Sequence, residues 1–302
     1  MMSVFHGNLD QIKDLIIQIG IQIGSHIAHT ASSTQYTSHT NDSGDQVNTL
    51  DEFAHRSCIR YLSQCPLVCS YASEEDASIV PCHAYGSYHV AFDPLDGSKN
   101  ASVNRPVGSI FAIFATGSQG STQLADYHAD DIVMSAYILY GSQTTVVIAD
   151  VSGVTHYVLD LEGGNNSEQS LSLANTCDTL ATNMLNIAST PSTFRNFIDI
   201  AGFCKFAYSR CMVSDVALIV AEGGMFAYPS NTKNPHGKLR LLYECRPMAW
   251  IISRLGGRAI DDRGHDVLSL QLDSLHQTSS ILIGSAFCVD QYLQLMSSDT
   301  SF

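Results

Sequence analysis

Asp93 and Asp96 stand three residues apart in the run Ala91-Phe92-Asp93-Pro94-Leu95-Asp96-Gly97-Ser98, at the end of an apolar stretch that begins at Tyr88. A proline beside a strand end stops the hydrogen-bonded ladder, and a glycine lets the backbone turn sharply. Both carboxylates are therefore delivered to one tight turn, where they repel each other unless cations sit between them. A divalent-ion site is the economical reading, with the amides around Gly97 and Ser98 forming an anion nest opposite it. The competing reading is an Asx-type turn capping a following helix, which accounts for one aspartate but not readily for both.

Two further charged runs could join that turn. Ser73-Glu74-Glu75-Asp76 follows an apolar stretch; alone it reads as a solvated turn, and it gains a role only if the chain brings it against Asp93. Lys238-Leu239-Arg240-Leu241-Leu242-Tyr243-Glu244 alternates basic and apolar residues before reaching an acid. Read as a strand, it places Lys238, Arg240, Leu242 and Glu244 on one face. Such a charged face is costly to bury unless anions or metals pair with it, and a surface strand is the equal alternative.

The elements that must position these groups follow from apolar periodicity. Apolar side chains at 12, 15, 16, 19, 23 and 27 predict an amphipathic helix over 8–29, opened by a capping box at Asn8 and Gln11 and weakened by Gly20 and Gly24. A polar loop over 31–45 and a second helix over 50–62 come next. Runs at 88–92, 107–115, 132–140, 144–149 and 154–159 predict strands, with a hairpin turn at Tyr140-Gly141-Ser142-Gln143. The Gly- and Asn-rich stretch 162–170 reads as a linker. Beyond it, helices at 191–202, 212–222, 245–255 and 286–296 alternate with short strands at 225–228 and 280–284. The expected organisation is a strand-rich unit over 1–165 carrying most of the acids, packed on an α/β unit over 166–302.

Composition narrows the function classes. The chain has 302 residues, 45% of them hydrophobic, enough for a sizeable core. Acids outnumber bases 29 to 15, giving a net charge of −14, which repels a nucleic-acid backbone and obliges any phosphate-handling site to recruit cations. Nine cysteines show no Cys-x-x-Cys pair and read as buried thiols in a reducing compartment. No secretory leader and no uninterrupted apolar span of about 18 residues is present, so a soluble chain without a membrane partner is expected. The ending Thr300-Ser301-Phe302 lacks the basic middle residue of a peroxisome-type Ser-Lys-Leu signal, which leaves the cytoplasm as the expected address and a peroxisome-like organelle as the lesser alternative.

The Asp93 turn, Ser73-Glu74-Glu75-Asp76 and Asn234-Pro235-His236-Gly237-Lys238-Leu239-Arg240-Leu241-Leu242-Tyr243-Glu244-Cys245 together resemble the fructose-1,6-bisphosphatase and sedoheptulose-1,7-bisphosphatase family. Gly44-Asp45-Gln46-Val47 ahead of Asp51, Ile138-Leu139-Tyr140-Gly141-Ser142 and Gly223-Gly224-Met225-Phe226-Ala227-Tyr228-Pro229 extend the likeness, in family order, over about 8–290. The resemblance implies a sugar-phosphatase fold with alternating α/β/α/β/α layers and mixed sheets. It implies that Glu74, Glu75, Asp93, Asp96, Glu244 and the Leu95 carbonyl hold two or three Mg²⁺ ions, with Mn²⁺ as the alternative. By the same resemblance, Asp51 and Glu75 are expected to take the proton of the attacking water, and Asp45 and Arg240 to form a supporting pair. Gly97 and Ser98 steady the transferred phosphate, while Tyr208, Met212, Tyr228 and Lys238 bind the sugar and its distal phosphate. A homodimer or homotetramer is implied as well.

The chain departs from the family in the distal pocket. Ala207 stands where an arginine is usually lent across a subunit interface, with Arg210 three residues on, and the Asn-Glu-Gly-Tyr element has only Thr182-Asn183-Met184-Leu185 as its nearest counterpart. These changes spare the 1-phosphate chemistry and favour sedoheptulose 1,7-bisphosphate over fructose 1,6-bisphosphate as the expected substrate. Ser87 replaces the lysine of AMP-regulated members, so AMP inhibition is not expected. Lys99, beside the nest, either meets phosphate or points to solvent. Inositol- and nucleotide-phosphatases share the Asp-Pro-x-Asp-Gly core, but take their last metal ligand from a Trp-Asp pair absent here. A sugar-phosphate-binding relative without turnover is the non-enzymatic alternative, and such relatives tend to lose the acids that this chain keeps.

Overall fold

A computed structural model describes residues 2–29, 36–40, 46–117 and 123–299, with side chains over 9–29, 49–117 and 123–298. The first helix, α1 (Met2–His29), runs through both of its glycines. A Cβ on Gly20 would meet Leu159 at 2.9 Å, and one on Gly24 would meet Thr144 at 2.7 Å, so the two glycines let the helix lie close to the sheet beneath it. Ile12, Ile16, Ile19 and Ile23 are buried on that face, as the spacing requires.

The expected loop at 31–45 contains a strand. β1 (Tyr36–Thr40) pairs antiparallel with β2 (Gln46–Asn48), and the remainder of that stretch lies outside the described residues. α2 (Thr49–Gln64) follows, and an eight-stranded sheet is then built from β3 (Val68–Ser73), β4 (Val80–Pro81), β5 (Tyr88–Asp96), β6 (Val107–Ala115), β7 (Ile132–Tyr140), β8 (Thr144–Asp150), β9 (Gly153–Val158) and β10 (Ser167–Ser170). Its order is β10-β9-β8-β7-β6-β5-β3-β4, antiparallel except for the β3–β5 pair. The expected linker at 162–170 therefore ends in an exposed edge strand, whose backbone pairs with β9 despite its polar side chains.

The second half supplies β11 (Thr179–Thr182), α3 (Ser192–Ala201), β12 (Lys205–Ala207), α4 (Met212–Glu222), β13 (Met225–Tyr228), β14 (Leu239–Arg240), α5 (Arg246–Arg254), β15 (Arg258–Ile260), β16 (Thr278–Ser279), β17 (Ile281–Gly284) and α6 (Ala286–Asp299). Five of these strands form a second mixed sheet in the order β12-β11-β13-β17-β15. α1 and α2 cover one face of the first sheet, α4 and α5 fill the space between the sheets, and α3 and α6 close the far side. This is the expected α/β/α/β/α layering. Among the described residues four apolar clusters form the core, and Ile110, Val213, Phe226 and Ile283 meet in the one between the two sheets.

Two further expectations need correction. The strand expected over Lys238–Glu244 stops at Arg240 and gives way to a π-helical turn, Leu241–Cys245, that runs into α5. Leu241, Leu242 and Tyr243 are all buried, which a strand with one apolar face cannot achieve but a helical turn can. Nor are all nine cysteines buried thiols: Cys177 and Cys288 are joined by a disulfide, and Cys204 is exposed. Among the described residues, no helix is long and apolar enough to cross a membrane.

Candidate active site

β5 carries the centre of the site, and it does so through an irregularity. Its register with β6 is regular as far as Asp93 opposite Ile110, then slips so that Asp96 faces Gly108. The extra residue is a β-bulge at Pro94-Leu95, where proline has no amide to offer the ladder. The Pro94 carbonyl accepts the Ser109 hydroxyl at 2.7 Å, and the Leu95 amide donates to Asp93 Oδ1 at 2.9 Å. Gly97 then turns the chain at φ 74°. Strand β5 thus continues past 92, and the bulge delivers both aspartates to one spot.

The acidic run at Ser73 is brought there by pairing. β3 runs parallel to β5 with Ser73 opposite Phe92, and the Glu74 amide donates to the Phe92 carbonyl at 3.1 Å. Glu74 and Glu75 consequently stand beside the Asp93 turn rather than in solvent. Asp76 turns away, its carboxylate 3.3 Å from His55 Nε2 and its carbonyl 3.0 Å from His276 Nε2. Glu244 enters from the π-helical turn, its Oε2 accepting the Arg240 amide at 2.5 Å. The Arg240 side chain bridges to Glu74 Oε1 at 3.4 Å and to the His276 carbonyl at 2.8 Å.

Oxygen atoms of Asp93, Asp96 and Glu244 lie within 4.8 Å of one another, all three side chains buried. Burial raises the carboxyl pKa of each above the usual carboxylate range. Glu74, Asp96 and Glu244 push Asp93 further, while Glu74 and Asp96 do the same to Glu244. Burial pushes Asp96 up to about 7, against the Val213 amide and the Cys211 thiol that favour its charged form. Buried, mutually repelling oxygen donors fit a hard divalent cation, which relieves the repulsion and accepts that donor set.

These acids line a cavity of about 630 Å³. Asp51 from the first turn of α2, Glu75, the Leu95-to-Lys99 turn, Tyr208, Met212, Tyr228, Lys238 and Arg240 line it too. All of the expected site residues that are described line this wall; Asp45, with its expected pairing to Arg240, lies outside the described residues. Lys99 is exposed at the rim. Burial, with Tyr228 beside it, raises the Tyr208 hydroxyl while Arg210 opposes the rise. Arg210 adopts a left-handed backbone (φ 69°) and lines the same cavity, so the shift of three residues from Ala207 does not remove a guanidinium from the site.

Sequence reasoning missed Cys211, Asp215, Asn234 and Thr278 on this wall. Cys211 and Asp215 had one legible signal, their place at the start of the helical pattern 212–222. The Asp215 carboxylate accepts the Ser209 amide at 2.9 Å and so shapes the turn ahead of α4.

Comparison with known proteins agrees along most of the chain. The fructose-1,6-bisphosphatase N-terminal domain model matches residues 6–169, and the C-terminal domain model matches residues 173–297. Fructose-1,6-bisphosphatase class 1 of Cytophaga hutchinsonii is 34% identical over 268 residues, covering 83% of this chain and 77% of that protein. Fructose-1,6-bisphosphatase 1 of Rattus norvegicus is 32% identical, covering 86% of this chain and 75% of that one. The crystal structure of Leishmania major fructose-1,6-bisphosphatase in holo form superposes with a TM-score of 0.89 at 28% identity, covering 97% of this chain and 95% of the other. With both domain models matched in order and the fold shared, the chain belongs to the fructose-1,6-bisphosphatase family of sugar-phosphate hydrolases.

Proposed function

We propose that the protein hydrolyses the 1-phosphate of a ketose bisphosphate, with fructose 1,6-bisphosphate as the leading substrate because the relatives above carry that name. The observation that carries the reading is the convergence of Asp93, Asp96 and Glu244 within 4.8 Å, in a cavity whose other wall holds Lys238 and Arg210. Glu74, Glu75, Asp93, Asp96, Glu244 and the Leu95 carbonyl are the groups that would hold Mg²⁺, as two or three ions, or Mn²⁺. The chemistry such cations would supply there is to make a bound water more acidic and to neutralise the charge that develops on the departing oxygen.

The chain's own groups complete the reaction. Asp51 and Glu75 receive the proton of the water whose oxygen attacks phosphorus as the bond from phosphorus to the sugar oxygen breaks. Gly97 and Ser98 amides orient the transferred phosphoryl group. Met212 packs against the sugar, and Tyr208, Tyr228, Lys238 and Arg210 meet the distal phosphate. Residues 1–165 form the unit that carries most of the acids, residues 166–302 the unit that carries the sugar side, and the enzyme works as a cytoplasmic homodimer or homotetramer.

Sedoheptulose 1,7-bisphosphate is the second reading. It is favoured by Ala207, which offers no guanidinium, and by Arg210, which offers one from a different point on the wall. Phosphate release from each bisphosphate with Mg²⁺ present separates the two by kcat/KM. Equal inactivity on both would remove the ketose bisphosphatase reading.

A further inference from the structure

Asp96 differs from the other two convergent acids in what grips it. Its Oδ2 accepts the Val213 amide at 2.7 Å and the Cys211 thiol at 3.1 Å, both from the start of α4 in the other half of the chain. Cys211 is 1% exposed, and its sulfur also accepts the Ser214 amide at 3.4 Å as the helix cap. Ser209 fixes the cysteine from behind: its hydroxyl donates to the Cys211 carbonyl at 2.9 Å, and Asn100 beyond the Asp96 turn donates to the Ser209 carbonyl at 2.8 Å. Contact between the two segments is close enough that a Cβ on Gly97 would lie 2.6 Å from that of Cys211.

We propose that Cys211 is a positioning residue for the cation site: its thiol, with the Val213 amide, fixes Asp96 Oδ2 and so presents the other carboxylate oxygen to the cation shared with Asp93 and Glu244. The inference rests on the proposed function for the identity of the ligand. A carboxylate rotates about its terminal torsion unless its oxygens are held, and two donors of different origin on one oxygen remove that freedom. Partners that orient a metal ligand characteristically matter about 10- to 100-fold in metal affinity. Losing the thiol leaves one donor and a looser carboxylate, whereas a serine hydroxyl keeps a donor at the same place.

The test is calorimetric binding of Mn²⁺ to the full chain without substrate, together with the Mn²⁺-induced shift in thermal midpoint. Cys211→Ala is expected to weaken Mn²⁺ binding about tenfold, at the low end of that range. Cys211→Ser is expected to restore it to within about threefold of the wild type, since the hydroxyl is the stronger donor. If the cysteine only caps α4, Cys211→Ala lowers the thermal midpoint without changing Mn²⁺ affinity, and the proposal is overturned. It is overturned equally if the serine variant binds as weakly as the alanine variant, or if the wild type takes no Mn²⁺. Should the Mn²⁺ series behave as expected while neither bisphosphate is hydrolysed, the functional reading fails and the positioning role stands. Should hydrolysis proceed while Cys211→Ala binds Mn²⁺ normally, the reverse holds.

Discussion

Replacing Asp96 by asparagine removes a charge from the centre of the acid cluster while keeping an oxygen for the Val213 amide and Cys211 thiol that grip it. Its partners Asp93 and Glu244 offer oxygens within 4.8 Å. At that separation and an effective dielectric of about 20, two full charges repel by about 3 kcal/mol. Burial and mutual repulsion already keep part of the cluster protonated, so the relief from neutralising Asp96 is a fraction of two such pairs, about 2 kcal/mol. At the usual unfolding entropy per residue, a chain of 302 residues converts this into a rise of about 3 °C in thermal midpoint. Asp96→Asn is therefore expected to be more stable than the wild type in chelator, to lose the stabilisation that Mg²⁺ gives the wild type, and to lose at least about a hundredfold in kcat. Calorimetric melting with and without Mg²⁺, beside a phosphate-release assay, reads all three. A lower midpoint in chelator, or turnover within tenfold of the wild type, refutes the reasoning.

Three further outcomes follow from the same geometry. In chelator, stability should fall as pH rises from 5 to 7.5: the folded-state pKa of Asp96 stands at about 7 against an ordinary 3.8, and Asp93 and Glu244 are displaced the same way, so the folded state binds more protons across that window. Mg²⁺ should flatten the dependence, and apo stability that climbs over this range would contradict it. Gly97→Ala forces a Cβ into the left-handed region and to 2.6 Å from Cys211, which should cost about 2–4 kcal/mol in urea unfolding and abolish turnover; a cost below about 0.5 kcal/mol would contradict the packing. Cys288→Ala opens a loop spanning 111 residues and should lower stability by about 2–4 kcal/mol relative to the oxidised wild type, with no further loss on adding reductant. An unchanged urea midpoint would mean that the bond does not close in the isolated protein.

What was legible in the chain depended on how local the cause was. β6 and β7 announced themselves through apolar stretches rich in β-branched and aromatic residues, and α4 through its apolar spacing. β3 did not, because Val68-Cys69-Ser70-Tyr71-Ala72-Ser73 is buried along its whole length and so shows no alternation. The same pairing decided the fate of Glu74 and Glu75. Nothing local separates them from a solvated acidic turn, and only the parallel alignment of β3 with β5 sets them beside Asp93. Asp93 and Asp96 were readable from spacing because the bulge that aims them is encoded in place, by Pro94 and Gly97. Glu244 was readable from resemblance, but its surroundings were not: the run that reads as a strand becomes a π-helical turn to bury three consecutive apolar side chains. The Cys211 contact with Asp96 spans 115 residues, so neither the helical spacing that starts at 212 nor the Asp93 turn announces the contact itself. Arg210 shows the limit from the other side, since its position relative to Ala207 suggested a lost contact and its backbone conformation returns it to the cavity.

The central claim is that a divalent cation held by the Asp93 and Asp96 bulge together with Glu244 drives phosphate release. Anomalous diffraction from crystals of the protein grown with Mn²⁺ tests it most directly. A peak is expected about 2.2 Å from oxygens of Asp93, Asp96 and Glu244, absent from Asp96→Asn crystals grown alongside. A peak elsewhere, or none between these three acids in an enzyme that still releases phosphate when Mn²⁺ is supplied, would contradict it.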